Sequence, residues 1–173
     1  IMMKNTYLNL RSGAAEIFVR PKYGQAESSA FVVASGPSLD ETIPIIQKNV
    51  GRAIIISSGS AIRPLLVNGI TPDFHVEYEN AYLYASIEKL AREFDLSPVC
   101  LLASTTVDPS IVQFFKKSVF YFRSGPSPYR LFCDSDENSL RFSEPAVVNA
   151  SLSFAMDVGI KDIYFFGTDF GTK

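Results

Sequence analysis

The stretch Ala30-Phe31-Val32-Val33-Ala34-Ser35-Gly36-Pro37-Ser38-Leu39-Asp40-Glu41 decides the fold. Its first five residues are apolar without alternation, as in a strand buried on both faces. Ser35-Gly36-Pro37-Ser38 then forms a turn. Gly36 allows a tight bend and close approach by a ligand, and Pro37 stiffens it. Ser38 is a good N-cap, and Ser38-Leu39-Asp40-Glu41 reads as a capping box. Leu39, Ile43, Ile46 and Val50 follow at helical spacing. The helix start exposes N–H groups and a positive dipole end, which suits a phosphate. Simple capping by Ser38 fits the same residues. The turn is neither a Walker loop nor a full GxGxxG.

Downstream the pattern repeats. Strands are expected at 53–56, 73–78, 98–103, 118–122 and 162–166, and helices at 61–68, 82–94, 109–117 and 145–158. Gly69 and Gly159 stand where glycine ends a helix. Apolar strands alternating with helices predict a doubly wound, Rossmann-like α/β fold with a mostly parallel sheet and helices on both faces. Residues 30–35 are expected at its centre and 162–167 inside the same sheet, neither as an exposed edge. The stretch 123–144, rich in Ser, Pro, Asp and Asn, reads as irregular, and Arg123–Ser143 is expected to be mobile without ligand and to close over the site with it. Residues 1–29 read as a polar lead-in or the tail of an upstream region, and 30–173 as a nucleotide-sugar-binding domain within a larger protein.

Composition bounds the function. The chain has 173 residues, 47% hydrophobic and 20% charged, which is globular rather than disordered. A net charge of −2 provides no global basic field for nucleic acid. No apolar run reaches the length of a membrane span, and no signal peptide is visible. Cys100 and Cys133 have neither CxxC spacing nor neighbouring histidines, which argues against a disulfide framework or a zinc site. A cytoplasmic location is expected.

Ligands of such sheets sit beyond the carboxyl ends of the strands, near the topological switch point. The second such turn, Ser57-Ser58-Gly59-Ser60, is again small, hydroxylic and followed by a helix. With Ser35–Ser38 it suits the phosphate and ribose of one nucleotide, or it is a plain βα turn. The third is Glu77-Tyr78-Glu79-Asn80. Alternation places His75, Glu77 and Glu79 on one side and Phe74, Val76 and Tyr78 on the other. The two carboxylates suit ribose hydroxyls, a metal ion or a substrate hydroxyl, and also fit a solvated rim. His75, the sole histidine, reads as structural. Asn149, near the start of the 145–158 helix, offers a donor and an acceptor for a heterocycle edge. Gly167-Thr168-Asp169 ends the last strand, with Asp169 facing the ligand side or capping a loop.

Four segments in order carry a resemblance: Val33–Asp40, Gly69–Asn80, Glu144–Ser153 and Ile163–Asp169. Together they resemble the central domain of the motility-associated factor (Maf) family of flagellin glycosyltransferases. The same pattern is similar to the bacterial sialyltransferases that use CMP-sialic acid and to the archaeal MptE-like, pterin pyrophosphokinase-like family. The resemblance implies transfer of a nonulosonic acid from a CMP donor to Ser or Thr of flagellin. It implies that Gly36 and Ser38 face the donor phosphate and that Asn149 and Gly167 face the nucleoside. Glu77, Glu79 and Asp169 then line the site. The sialyltransferases use a histidine base beyond the last matched strand, and this chain has none there.

Donor N–H groups at Ser35–Ser38 would stabilise the departing phosphate. Asp169 or Glu77 would take the acceptor proton. The competing readings are a pyrophosphokinase-like enzyme using ATP and Mg²⁺, and a non-catalytic nucleotide-binding module. No cofactor is firmly implied.

Overall fold

The computed structural model describes residues 1–22, 26–79, 83–125, 129–133 and 135–169. Among these, eight strands form one sheet. They are β1 (Glu16–Ile17), β2 (Ser29–Val33), β3 (Ala53–Ser58), β4 (Phe74–Glu77), β5 (Cys100–Ser104), β6 (Lys117–Arg123), β7 (Ser139–Leu140) and β8 (Ile163–Phe166). The order is β1-β6-β5-β4-β3-β2-β8, with β7 also beside β6, and every pairing is parallel. The helices are α1 (Met2–Ser12), α2 (Leu39–Lys48), α3 (Ile62–Val67), α4 (Leu83–Glu93), α5 (Tyr129–Phe132) and α6 (Val147–Asp157).

Side-chain alternation along the strands sorts the core into two faces. Val32, Ile56, Val76, Leu102 and Tyr121 point to one face and pack with Phe154 and Ala155 of α6. Val33 and Ile55 point to the other, against Leu39, Ile43 and Ile46 of α2 and Leu65 of α3. Leu101 and Ala103 meet Ile87 and Leu90 of α4 on that same face. Helices therefore cover both faces, and the doubly wound α/β expectation holds. From β2 the chain winds through β3, β4 and β5 to β6, whereas β8 joins the opposite side of β2. The switch point thus lies between β2 and the strands on either side of it.

Several expectations change. The polar lead-in carries two regular elements, α1 and β1. Helix α1 places Asn5 Nδ2 on the Thr106 carbonyl at 3.0 Å and Asn9 Nδ2 on the Thr105 and Val107 carbonyls at 2.9 Å each. β1 pairs with β6, and Arg20 Nε lies 3.2 Å from Asp157 of α6. A polar sequence concealed this docking because its buried contacts are hydrogen bonds to backbone rather than an apolar stripe. The 109–117 helix is a 3-10 turn over Pro109–Phe114, started by Asp108, whose carboxylate accepts the Ser110 N–H.

The stretch 123–144 contains α5, a 3-10 turn at Asp136–Asn138 and β7. Tyr129, Ser139, Leu140 and Ser143 within it are buried, so those parts belong to the core rather than to a lid. Residues 126–128 and 134 lie outside the described residues. β8 is the edge of the sheet, not an interior strand. Tyr164 is 54% and Phe165 46% exposed, because apolar composition does not distinguish an edge from a centre.

Candidate functional site

The ends of β2, β3 and β8 and the start of α6 surround a cleft of about 290 Å³. Ala34, Ser35 and Gly36 line one side, Ser58 and Ser60 the floor, Ala146–Val148 a second side, and Gly167–Asp169 the third. Seven of the candidates read from the sequence meet here: Ser35, Gly36, Ser58, Ser60, Gly167, Thr168 and Asp169. The two Gly/Ser turns touch directly, with Ser35 Oγ 2.6 Å from Ser60 Oγ. Behind them Ser58 Oγ meets Ser151 Oγ of α6 at 2.7 Å.

The first turn is built differently from the expectation. Gly36 is not in the left-handed region; its need for glycine is steric. A Cβ there would fall within van der Waals contact of the Asp169 and Gly167 carbonyl oxygens. Gly167 has φ +61°, and its own Cβ would strike the Ala34 carbonyl. The Gly36 N–H donates to the Gly167 carbonyl at 2.7 Å. Two glycines therefore let the strand ends of β2 and β8 meet backbone to backbone.

The start of α2 is also occupied. Ser38 makes no side-chain cap of its own helix. Its N–H donates to Asp169 Oδ2 at 3.1 Å, and its hydroxyl donates to Asp169 Oδ1. The carboxylate of Asp169 holds the position beside the dipole end that the sequence suggested for a phosphate. Pro37 and Ser38 stand in the turn behind the cleft and do not line it.

Glu77 lines a second cleft of about 340 Å³, with Gly59 and Ser60 at its strand end. The alternation expected along 74–78 holds: Phe74 packs at a tilt against Phe154 of α6, while His75 stacks on Phe115 across the sheet. His75 is fully buried, with Nδ1 3.0 Å from Ser57 Oγ and Nε2 3.3 Å from Glu77 Oε1. The histidine read as structural thus lies beside the buried carboxylate that lines the second cleft. Glu79 is exposed and lines neither cleft, and Asn80 lies outside the described residues. Asn149 Oδ1 accepts the Ala146 N–H at 3.2 Å, so it braces the start of α6 rather than facing the cleft. Ser104–Thr106, also at a strand end, are buried beneath α1.

A third arrangement was not singled out in the sequence. Arg123, buried at the end of β6, contacts Glu144 Oε1 through Nε and an NH2 group, each at 2.7 Å. Its guanidinium lies 4.5 Å from the centre of the Tyr78 ring, and the Tyr78 hydroxyl donates to the Pro145 carbonyl at 2.5 Å. These contacts fix the segment that leads to Ala146–Val148. Burial raises the Tyr78 hydroxyl above its ordinary range, with Glu79 adding to the effect and Arg123 opposing it. An arginine closing an otherwise apolar strand was the available signal. Among the described residues, no group of three or more His, Cys, Asp or Glu is placed to hold a metal ion. No described helix is long and apolar enough to cross a membrane.

The cleft lined by hydroxyl and glycine residues stands at the switch point of a doubly wound α/β domain, where such folds take their ligands. The family model for "6-hydroxymethylpterin diphosphokinase MptE-like" matches residues 2–173, and the chain belongs to that family. It is also similar to the structure of a Maf glycosyltransferase from Magnetospirillum magneticum AMB-1, with 39% identity and a TM-score of 0.93. That match covers 99% of this chain and 27% of the other, so the chain spans about a quarter of that protein. The resemblances to the Maf and MptE-like families read from the sequence hold. No curated protein matches the chain significantly.

Proposed function

We propose that this domain is the donor-binding part of a glycosyltransferase that transfers a nonulosonic acid from a CMP-activated donor to Ser or Thr of flagellin, in the cytoplasm. The observation that carries this reading is the switch-point cleft. Ser35, Ser60 and Thr168 supply hydroxyls, and the paired glycines Gly36 and Gly167 keep its wall thin. The match to part of a glycosyltransferase supports the reaction class.

In this reading the phosphate lies at the Ser35–Ser60 contact, where two hydroxyls converge, and not against the α2 dipole that Asp169 occupies. The nucleoside lies along Ala146–Val148. Glu77, beside His75, takes the acceptor proton. Asp169 is committed to Ser38 and serves to shape the wall. The acceptor oxygen bonds to the anomeric carbon as the bond from that carbon to the phosphate oxygen breaks. CMP then leaves, and the proton passes to Glu77.

The family description favours a second reading, pyrophosphoryl transfer from ATP with Mg²⁺ to a hydroxymethylpterin. Calorimetric titration with CMP, CDP, ADP, ATP and GDP separates the two. Selective binding of CMP and CDP supports the glycosyltransferase. Selective, Mg²⁺-dependent binding of ATP, with no response to CMP, overturns it.

A further inference from the structure

Arg123 ends β6 and is buried. Alternation puts it on the same face as Tyr121, the face that α6 covers. It lines neither cleft. Its Nε and an NH2 group both meet Glu144 Oε1 at 2.7 Å, and its guanidinium lies over the Tyr78 ring. Glu144 also sits against the backbone at Gly125, where a Cβ would come within 3.2 Å of Oε1. Tyr78, which directly follows Glu77 of β4, donates its hydroxyl to the Pro145 carbonyl. The next residue, Ala146, donates its N–H to Asn149 Oδ1 at 3.2 Å. Glu144, Pro145 and Ala146 are therefore each tethered through a different group, and Ala146–Val148 form the second side of the first cleft.

Stability alone does not account for this arrangement. Replacing a buried ion pair by apolar residues of the same volume is often neutral for the fold, and β6 is already apolar from Val119 to Phe122. What the pair supplies is geometry. A guanidinium is flat and rigid, so it grips a carboxylate with two N–H groups while lying over an aromatic ring. A lysine ammonium is a point charge on a flexible stem and does not do both. In the sheet β5 separates β6 from β4, so the bracket spans three strand ends and fixes the start of α6 against them. A wall displaced by about 1 Å loses much of its fit to a ligand.

We infer that Arg123 is a positioning residue of the first cleft: through Glu144 and Tyr78 it fixes the Ala146–Val148 wall in the place that admits the nucleoside. Binding strength there then depends on an arginine that does not line the cleft. That the ligand is a nucleotide rests on the reading of this cleft as the nucleotide site; that Arg123 sets the wall does not.

Two measurements on the chain test this. The first is amide hydrogen exchange at Ala146 and Asn149, whose N–H groups donate reciprocally, to the Asn149 side chain and to the Ala146 carbonyl. Arg123→Lys is expected to speed exchange at both by about tenfold, while Phe154 and Ala155, further along α6, exchange as in the parent. The second is calorimetric titration with CMP beside a thermal melt. Arg123→Lys and Glu144→Gln are each expected to weaken CMP binding by about tenfold. The double variant is expected to lose no more, because the two residues act as one unit. Arg123→Met, which extends the apolar run of β6, is expected to melt near the parent and yet bind CMP as weakly as Arg123→Lys. Unchanged CMP binding and unchanged exchange in Arg123→Lys overturn the inference. A lowered melt in Arg123→Met with parent-like CMP affinity also overturns it and makes Arg123 a structural residue. If CMP does not bind the parent, the nucleotide reading falls; faster exchange confined to Ala146 and Asn149 then still supports the positioning role, and unchanged exchange removes it too. If Arg123→Lys fails to fold, Glu144→Gln carries both measurements.

Discussion

The Asp169 carboxylate receives the Ser38 N–H at 3.1 Å, so the start of α2 is capped by a residue 131 positions away. This contact closes the switch point between β2 and β8 and replaces the local cap that Ser38 was expected to make. Asp169→Ala removes the acceptor and leaves the Ser38 N–H to water. Both residues are partly exposed, so the expected loss is about 1 kcal/mol. Thermal melts of the parent and Asp169→Ala check it; an unchanged melting temperature would show that the cap contributes nothing.

Gly13 and Gly167 share φ +61°, yet their surroundings differ. A Cβ on Gly13 meets nothing within 4 Å, whereas one on Gly167 strikes the Ala34 carbonyl. Gly13→Ala is expected to cost about 1 kcal/mol from backbone strain alone. Gly167→Ala adds overpacking, for a total of about 3 kcal/mol. Gly36→Val belongs with Gly167→Ala: it destabilises the fold through the β8 end rather than acting only on a bound phosphate. Urea denaturation of the three variants gives the ranking, and equal losses at Gly13 and Gly167 would contradict the backbone contact.

His75 joins Ser57 to Glu77 within a buried layer. His75→Phe retains an aromatic ring beside Phe115 but leaves the Ser57 hydroxyl without its nitrogen partner and removes the imidazole beside Glu77. A stability loss of about 1–3 kcal/mol is expected. If Glu77 is the base, turnover in a transfer assay falls while the donor KM changes little, because the nucleotide cleft is untouched. A KM rise with unchanged kcat would assign His75 to binding instead.

Tyr78 links the Arg123–Glu144 pair to the Pro145 carbonyl. Its hydroxyl is raised above the ordinary 10.0, chiefly by burial. A group raised in the folded state stabilises the fold below its unfolded value and loses that contribution as pH climbs through the folded one. Stability is therefore expected to fall above pH 10. Tyr78→Phe costs about 1 kcal/mol at neutral pH and makes this alkaline decline shallower. Melting temperatures from pH 7 to 11 test both; parallel curves for parent and variant would exclude Tyr78 as the source.

The sequence by itself determined the βα alternation, the buried parallel strands, the glycine turns at strand ends and the two sides of the 74–78 strand. All of these follow from local periodicity and backbone preference, which a short window of residues carries. Only the tertiary structure decided that β8 lies at the edge beside β2, that α1 covers Ser104–Thr106, and that Asp169 rather than Ser38 caps α2. It also decided that the rim residues divide between two clefts, with Glu77 in one and Asp169 in the other. These outcomes depend on contacts between segments far apart in the chain. Strand order and long-range hydrogen bonds leave no periodic signal, because the partner that satisfies a buried donor is chosen by packing and not by its neighbours in sequence.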